Sequence, residues 1–369
     1  MKILLINNDK GWGGGQEFLK DLASELLGFG VDVHFTVRAG SKSDSRLRGL
    51  GVPVHSLPGH GMGDVKAFFQ LVDLMRRERF DIISVNREHD LLLTTLARYV
   101  AFPFRKHGKL VITCHVGTPR KQHFLFSVDA VVCVSEHVRR KLSEKNPAAG
   151  NMAVILPNGV VSGAPPDARK FDFQRERRFF RGASFPLIGM VGEFFKNQSE
   201  LVDVLALLKG EFPNLTVAFV GDTSDQGLIG PLLEKIRYLD LERDVLFTGR
   251  IPREMMPDVF YDLDLSVSTF RNEGYGLVHL ESLAAGTPVV AYNEGGVVDI
   301  LRGESVGILV DGGPSEFAAA VADLLRDHER RYAMGRQGNA LVEGKYSRSA
   351  MTARYLELFR RLSEEGNAD

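Results

Sequence analysis

The sequence predicts an α/β protein with two doubly wound, parallel-sheet domains in tandem, and three observations support this. The chain has 369 residues, a length that suggests two or three domains. Short β-branched apolar runs alternate with amphipathic helical stretches, as in parallel sheets covered by helices. The alternation stops once, over residues 161–184, and then starts again, so we expect one domain on each side of that stretch.

Composition narrows the class of protein further. Hydrophobic residues make up 44% and charged residues 25%, which is typical of globular proteins and excludes disordered, collagen-like and coiled-coil chains. Two cysteines, Cys114 and Cys133, are too few for a disulfide framework or a four-thiolate zinc site. The first apolar run, Ile3 to Ile6, is shorter than the ~7–15 residues of a secretory signal, and no apolar segment reaches the ~18 of a membrane span. We therefore expect a cytoplasmic protein.

The first half opens with a βαβ unit in which a glycine-rich loop, Gly11 to Gly15, joins a strand to a helix. Its predicted strands are Lys2–Asn7, Val31–Val37, Asp81–Val85, Leu110–Thr113 and Ala130–Val134. Its predicted helices are Glu17–Leu27, Val65–Arg77 and Leu91–Tyr99.

The second half repeats the same rhythm. Its predicted strands are Pro186–Val191, Leu215–Val220, Val245–Thr248, Leu263–Ser268, Pro288–Ala291 and Gly307–Val310. Its predicted helices are Glu200–Leu208, Leu228–Leu239, Val278–Ala285 and Glu316–Arg326. We place the domains at residues 1–165 and 183–345, with residues 166–182 as the linker.

The C-terminal segment, residues 346–369, contains a long helical pattern from Ser347 to Leu362. This helix either closes the second domain or crosses back to the first, and the sequence leaves both open. Ligands of doubly wound sheets bind beyond the carboxyl ends of the strands. We therefore expect the site in a cleft between the two domains.

The strongest motif is the string NEGYGLVHLE at residues 272–281, which follows a predicted strand and opens a helix. Glycines let backbone N–H groups approach a ligand closely, and a helix N-terminus attracts anions. The carboxylates of Glu273 and Glu281 flank this turn and suit sugar hydroxyls. Hydroxyl, phosphate and hydroxyl sites in a row are typical of a nucleotide sugar. The alternative is a capped helix with an acidic first turn.

This string resembles the E-x7-E signature of the retaining glycosyltransferase family 4, whose members have the GT-B fold of two Rossmann-like domains. Three further segments resemble that family in order along nearly the whole chain: the L-P-N-G-V at 156–160, the L-F-T-G at 246–249, and the A-A-G-T-P-V-V-A at 284–291 with its following Gly295-Gly296. The resemblance implies a retaining, metal-independent transferase that moves a sugar from a nucleotide diphosphate to an acceptor hydroxyl. It also implies a front-face route in which the leaving phosphate helps to deprotonate the acceptor.

The resemblance implies site residues by position. Glu273 and His115 would lie beside the donor sugar, and Glu281 would bind the ribose. Lys196 would pair with the diphosphate. The other implied donor contacts are Gly274, Tyr275, Gly276 and Leu277 near the diphosphate, and Arg250 and Ile251 near the base. Gly13, Gly14 and Gly15 would form a loop bordering the diphosphate and acceptor.

One position departs from the family pattern. Members usually carry an Arg a few residues before the Lys that corresponds to Lys196, and here that position holds Glu193. Loss of a charge-assisted hydrogen bond costs ~1.5–3 kcal/mol. Either Glu193 points away and another cation substitutes, with Arg250 and Arg271 as candidates, or the donor binds weakly.

The implied ligands are a nucleotide-sugar donor and a glycan or glycolipid acceptor of lipopolysaccharide or cell-surface polysaccharide synthesis, with no permanently bound cofactor. We expect a UDP-sugar first, and GDP- or ADP-sugars next. A nucleotide-sugar epimerase on the same plan and a catalytically silent nucleotide-sugar-binding relative are alternatives.

Residues 1–165 carry 22 Lys and Arg against 15 Asp and Glu, so this half has a net charge of +7 and the remainder −8. Its basic clusters are Arg76-Arg77-Arg79, Arg105-Lys106-His107-Lys109 and Arg139-Arg140-Lys141. These clusters suit peripheral contact with an anionic inner membrane face, and equally suit solvated helix ends. No basic stripe interleaved with aromatic residues indicates a nucleic-acid partner.

Overall fold

The structure is a computed structural model that describes residues 1–9, 11–58, 64–103, 107–116, 128–167, 170, 176–183 and 185–365, with the backbone only at residues 88 and 89. The chain forms two compact units. The first contains Met1–Asn158 and Arg348–Asp369, and the second contains Gly159–Ser347. Arg105 and Lys106 of the second basic cluster, most of residues 168–175 in the predicted linker, and residues 366–369 lie outside the described residues.

The first unit is built on a seven-stranded parallel sheet of order β3-β2-β1-β4-β5-β6-β7. The strands are β1 (Lys2–Asn7), β2 (Asp32–Arg38), β3 (Val54–Leu57), β4 (Ile82–Val85), β5 (Lys109–Cys114), β6 (Ala130–Cys133) and β7 (Ala153–Ile155). The helices are α1 (Gly14–Gly28), α2 (Lys42–Arg48), α3 (Val65–Glu78), α4 (Glu88–Ala101), α5 (Glu136–Lys145) and α6 (Pro147–Met152). The strand order reverses direction between the central neighbours β1 and β4.

The second unit is built on a six-stranded parallel sheet of order β10-β9-β8-β11-β12-β13. The strands are β8 (Leu187–Val191), β9 (Thr216–Val220), β10 (Val245–Phe247), β11 (Leu265–Ser268), β12 (Val289–Tyr292) and β13 (Gly307–Val310). The helices are α7 (Gln198–Leu208), α8 (Gln226–Tyr238), α9 (Met256–Asp262), α10 (Leu277–Ala284), α11 (Val297–Leu301), α12 (Pro314–Arg326) and α13 (His328–Leu341). A 3-10 turn, Arg253–Met255, precedes α9, and a π-helical turn, Val342–Tyr346, follows α13. Its reversal of direction lies between β8 and β11.

These two sheets confirm the predicted fold class. Central strands such as β1 and β4 are buried along nearly their whole length, as expected of parallel strands covered on both faces. Most predicted elements are present with ends shifted by one to three residues. The elements with no equivalent in the sequence prediction are the short strands β3 and β7, the short helices α2, α6, α9 and α11, and the longer helices α5 and α13. The short elements carry too few periodic residues to give a signal, and α5 and α13 contain few large apolar residues.

The last helix, α14 (Arg348–Glu365), packs against α1 in the first unit. Its apolar side chains join the core of that unit: Tyr355, Leu356, Phe359 and Leu362. Arg348 at its start forms an ion pair of 2.9 Å with Asp21 of α1. No helix among the described residues is both long and apolar enough to cross a membrane.

The end of the predicted linker is fixed to the second unit. The carboxylate of Asp262 accepts hydrogen bonds from the backbone N–H groups of Arg178, Phe179 and Phe180, at 2.6–2.9 Å. The neighbouring Asp264 is fully buried and forms an ion pair of 3.1 Å with Arg177. The Asp262-Leu263-Asp264 triplet therefore anchors the chain that enters the second sheet.

Candidate functional site

The second unit brings together two of the residues expected at the donor site. Lys196 Nζ lies 2.6 Å from Glu273 Oε2, and the two side chains are only 18% and 19% exposed. Lys196 lies in the loop after β8, and Glu273 lies in the loop after β11. These strands are neighbours at the point where the strand order reverses, and that is where doubly wound sheets bind ligands.

The charge state of Glu273 follows from its surroundings. Burial raises the pKa of the Glu273 carboxyl, but Lys196, through charge and its hydrogen bond, outweighs burial and holds that pKa below its usual value. The N–H of Gly274 also donates to this carboxylate, at 3.2 Å. Glu273 is therefore an ionised, half-buried carboxylate beside a cation, an arrangement that binds hydroxyl groups next to an anion.

The loop around Glu273 is held by a second glycine turn. Gly296 N–H donates to Glu273 O at 2.7 Å. A Cβ at Gly296 would lie 2.3 Å from Gly274 O, and one at Gly295 would lie 2.9 Å from Glu273 O. The Gly295-Gly296 pair is therefore required by the close approach of two backbone segments. This contact explains the pair seen in the sequence after β12.

Gly276 caps the start of α10 with φ +95°. A Cβ there would lie 2.6 Å from the ring of His279 and 3.5 Å from Glu273 Cγ. His279 is 2% exposed, its Nδ1 has no hydrogen-bond partner among the described residues, and burial lowers its pKa to about 4. The neutral imidazole of His279 therefore packs against the turn that carries Glu273. The sequence analysis did not single out His279.

A polar network connects the loop that carries Lys196 to the loop that carries Glu273. Glu200 accepts hydrogen bonds from Tyr292 Oη and from Asn197 Nδ2, the latter at 2.5 Å. Its carboxylate lies 3.6 Å from Arg271. Asn197 follows Lys196, and Arg271 precedes Glu273 by two residues. Glu200, which the sequence analysis did not single out, therefore connects both loops.

Arg271 is held by several contacts within the second unit. Its guanidinium stacks 3.5 Å from the ring centre of Tyr292, pairs with Glu294 at 2.7 Å and donates to Gly312 O at 2.8 Å. These contacts use two of its five N–H donors and leave the side chain 34% exposed, so Arg271 stays a candidate for the missing family Arg. Glu193 has an exposed side chain and joins the loop through its carbonyl, which accepts from Lys196 N–H and Gln198 Nε2.

The other residues expected at the donor site lie on or just before α10 and in the chain that follows β10. Glu281 is half-buried on α10, with Arg253 3.8 Å from its carboxylate. Ile251 and Val278 pack against the same apolar cluster of the second unit. Arg250 is 74% exposed and lies 3.4 Å from Asp222. Leu277 begins the helix and Tyr275 is buried.

In the first unit, His115 follows the carboxyl end of β5. Its ring packs edge-on against Phe18, 4.8 Å between centres, and its Nδ1 lies 3.4 Å from Asn158 Nδ2. Burial lowers the His115 pKa to about 4, so the ring is neutral at pH 7. With Asn158 donating to Nδ1, the proton lies on Nε2, which has no partner among the described residues. This shielded donor suits contact with a sugar hydroxyl.

The prediction of a loop at Gly13 to Gly15 is wrong for two of the three glycines. Gly13 caps α1, while Gly14 and Gly15 form its first turn. Gln16 Oε1 accepts from Gly13 N–H at 2.9 Å, which satisfies a helix-start donor and lets the helix begin three residues early. Asn86, after β4, donates to Gly15 O at 3.3 Å, so this turn also lies where the strand order reverses.

Polar residues that the sequence analysis missed surround this turn. Asp9 pairs with Arg87 and accepts from Gln16 Nε2 at 3.3 Å, and Asn8 donates to Asp90 at 3.4 Å. They follow β1 and β4 and come together only through the sheet order.

Comparison with known proteins covers nearly the whole chain. Two family profiles match it: Glycosyltransferase Family 4 over residues 12–162 and Glycosyl transferases group 1 over residues 173–340. The chain is 30% identical over 228 residues to the D-inositol 3-phosphate glycosyltransferase of Corynebacterium urealyticum, covering 59% of this chain and 54% of the relative. It is 27% identical over 246 residues to the GDP-mannose-dependent alpha-(1-6)-phosphatidylinositol monomannoside mannosyltransferase of Mycobacterium tuberculosis, covering 63% and 62%. The matches span less than two thirds of these relatives.

Solved structures show the same fold. Anabaena HepE in complex with UDP has a TM-score of 0.80 at 20% identity, covering 98% of this chain and 100% of that one. The same protein with UDP-glucose has a TM-score of 0.78 at 21% identity, with the same coverage. A glycosyltransferase from Rickettsia africae has a TM-score of 0.80 at 18% identity, covering 98% of both chains.

Proposed function

The chain belongs to glycosyltransferase family 4, and on that premise we propose that it transfers a sugar from a nucleotide-diphosphate-sugar donor to an acceptor hydroxyl, with retention of configuration and without a catalytic metal. The observation that carries the proposal is the Lys196–Glu273 pair at the reversal point of the second sheet. Lys196 supplies charge for the diphosphate, and Glu273 accepts hydrogen bonds from the donor sugar. The buried, neutral His115 donates to a sugar hydroxyl.

A UDP-sugar is our first candidate for the donor, followed by GDP- and ADP-sugars. HepE binds UDP and UDP-glucose in its crystal structures, and the mycobacterial relative is named as GDP-mannose-dependent. Glu281 on α10 is the proposed ribose ligand, and Arg250 with Ile251 lie beside the base. The side chain of Glu193 is exposed, which favours donor binding despite the missing Arg.

For the acceptor we propose a lipid-linked or cell-surface glycan precursor, such as one of lipopolysaccharide synthesis, bound by the first unit. The relatives named above act on inositol phosphate and on a phosphatidylinositol mannoside. A lipid-linked acceptor places the enzyme in the cytoplasm at the inner membrane face. The +7 net charge of residues 1–165 supports contact with an anionic surface.

The test is thermal stability against UDP, GDP, ADP and their common sugar conjugates. A ligand at 100 times its Kd stabilises the folded protein by roughly 2.7 kcal/mol, so the correct base raises the unfolding midpoint. NMR of the stabilising donor, incubated with and without candidate acceptors, then reports transfer and the anomeric configuration of the product.

Each alternative has its own outcome in this experiment. Donor conversion without an acceptor indicates an epimerase, and binding without any conversion indicates a silent relative. No stabilisation by any nucleotide contradicts the proposed donor site.

A further inference from the structure

Two neighbouring asparagines lie at the carboxyl edge of the first sheet. Asn7 ends β1, and Asn86 directly follows β4. The two strands are parallel neighbours, and their register, continued by one residue beyond β4, places Asn7 beside Asn86. Both side chains contact the start of α1, because Asn7 Oδ1 accepts from Gln16 Nε2 at 3.5 Å and Asn86 Nδ2 donates to Gly15 O at 3.3 Å. The two amides therefore lie on the same face of the sheet.

Each amide keeps one atom without a partner. Asn7 is only 3% exposed, and its Nδ2 has no hydrogen-bond partner among the described residues. Within the same part of the chain, Asn86 Oδ1 is also buried and has no partner. The two open atoms are not hydrogen-bonded to each other. Buried polar atoms in native proteins are nearly always hydrogen-bonded, so this pair indicates a group that the chain itself does not supply.

Backbone groups fix which atom of each amide is open. Gly15 O can only accept, so it binds the Nδ2 of Asn86 and leaves Oδ1 open. Gln16 Oε1 accepts from Gly13 N–H at 2.9 Å, which turns Gln16 Nε2 toward Asn7 Oδ1. Asn7 Nδ2 is then the open atom of the second amide. The site therefore offers one donor, on Asn7, and one acceptor, on Asn86.

A single hydroxyl group matches this donor and acceptor. Neighbouring strands lie about 4.7–4.9 Å apart, and two hydrogen bonds through one oxygen atom span roughly 5–6 Å. The hydroxyl oxygen accepts from Asn7 Nδ2, while its proton is donated to Asn86 Oδ1. An ionised phosphate ester has no proton to donate, and its oxygens would be repelled by Asn86 Oδ1. The pair therefore favours a neutral hydroxyl over a phosphate.

The charged residues beside the pair agree with a neutral ligand. The side chain of Arg87, which follows Asn86, is 49% exposed, but it forms an ion pair with Asp9. Asp9 also accepts from Gln16 Nε2 at 3.3 Å, so the amide that bonds Asn7 also holds this ion pair in place. We propose that Asn7 and Asn86 bind one hydroxyl group of the acceptor, and that the acceptor is a neutral polyol with no phosphate at that position. The inference rests on the proposed function for the presence of an acceptor in the first unit, but its test requires no transfer activity.

The test is NMR of the side-chain amides in the isotope-labelled full chain. The probes are methyl α-mannoside and myo-inositol as neutral polyols, and methyl phosphate at about pH 8, where a phosphate ester with a second pKa near 6 is fully ionised. We expect both polyols to shift the Asn7 and Asn86 signals saturably, and methyl phosphate to leave them unchanged. The loss of one signal in Asn7→Leu and of the other in Asn86→Leu assigns them.

Asn86→Leu should weaken polyol binding at least about tenfold, because the hydroxyl loses its acceptor. The Asn7 signal reports binding in this variant. Asn86→Ala removes the same amide without adding apolar bulk, and should give the same loss if the leucine variant has a lowered thermal midpoint. The matched control is Asn151→Leu, which replaces an exposed asparagine of α6 just before β7, at the opposite edge of the sheet, and should bind as wild type does.

The proposal is overturned if neither polyol shifts the two signals saturably, if methyl phosphate shifts them equally, or if the Asn86 variants bind like the control. The first of these results would assign the open atoms to an ordered water molecule. Stabilisation by a nucleotide without polyol binding would contradict this inference alone. Polyol binding without stabilisation by any nucleotide would support the hydroxyl site and contradict the proposed donor site.

Discussion

At the scale of single residues, the ionised Glu273 beside Lys196 is the centre of the proposed donor site. Both side chains are largely buried, at 18% and 19% exposure, and both keep some contact with solvent. Their 2.6 Å separation means that a bound diphosphate and a bound sugar would be neighbours, as they are in a nucleotide sugar. The pairing also means that Lys196 holds the pKa of Glu273 below its usual value and keeps that carboxylate ionised.

Glu273→Gln keeps the size of the side chain and removes its charge. We expect kcat to fall by about 100-fold or more, because a preorganised charge at the reacting sugar is lost. Nucleotide affinity should stay within a few-fold, since Lys196 is retained. Steady-state kinetics and nucleotide-dependent thermal midpoints measure the two effects. Glu211→Gln, which breaks a surface ion pair with Arg326, is the control and should change neither. Unchanged turnover would remove Glu273 from the reaction.

Glu200 is predicted to act as a positioning residue through Asn197 and Arg271. Glu200→Gln keeps a hydrogen-bonding side chain but loses the attraction to Arg271, so the two loops should separate slightly. We expect kcat to fall roughly tenfold, with a much smaller change in donor KM, since small displacements cost rate more than binding. Glu304→Gln, which breaks the ion pair with Lys345 at 3.5 Å, should behave as wild type. A change in KM alone, or no change, would contradict this prediction.

At the scale of elements, the glycine turn before α11 supports the loop that carries Glu273. Gly296 has φ −74°, which any residue can adopt, so its requirement for glycine comes from space alone. The nearest backbone atom would lie 2.3 Å from an added Cβ. The Gly295-Gly296 segment therefore serves the site by fixing a backbone distance.

Gly296→Ala should force the Gly274–Tyr275 backbone to move. We expect a loss of about 1–3 kcal/mol in the free energy of unfolding, as is typical of overpacking, together with weaker nucleotide binding. Urea denaturation with and without nucleotide measures both. Gly210→Ala is the matched control, since nothing lies within 4 Å of its added Cβ. Equal behaviour of the two variants would show that the loop adapts freely.

At the scale of the whole molecule, each unit contains a buried histidine, His115 in the first and His279 in the second, and burial lowers the pKa of each to about 4. Near pH 7 both histidines are neutral in the folded and unfolded states. Below about pH 6.5 the unfolded chain takes up protons that the folded chain does not, so stability falls as the pH falls toward 4. By pH 5 the loss should be on the order of 2 kcal/mol per histidine.

Two measurements check this pH dependence. The urea midpoint should be clearly lower at pH 5 than at pH 7.5, and NMR of the histidine rings should show both imidazoles still neutral at pH 5. Burial and the nearby His34 also lower the His55 pKa, which acts in the same direction. The lowered pKa of Glu273 acts below its ordinary value of 4.5, outside this window. Equal midpoints at the two pH values would contradict the prediction.

The sequence by itself determined the fold class, most long elements and the family. Continuous β-branched apolar runs indicate the buried strands, and period-3.6 patterns indicate the helices. Glycines that close backbone approaches require, such as those near Glu273, can be identified directly in the sequence. The motif at 272–281 could be recognised because most residues expected at the donor site lie within these ten consecutive positions.

Only the tertiary structure decided which distant residues meet. Lys196 and Glu273 are 77 positions apart, and Glu200 and Tyr292 are 92 apart, and each pair is brought together by strand order in the sheet. The use of Arg271 by Glu294 and Gly312, the early start of α1 at Gly14, and the packing of α14 on α1 also depend on neighbours distant in sequence. Local pattern carries the geometry of one element, whereas contacts between elements depend on a sheet topology that no local pattern encodes.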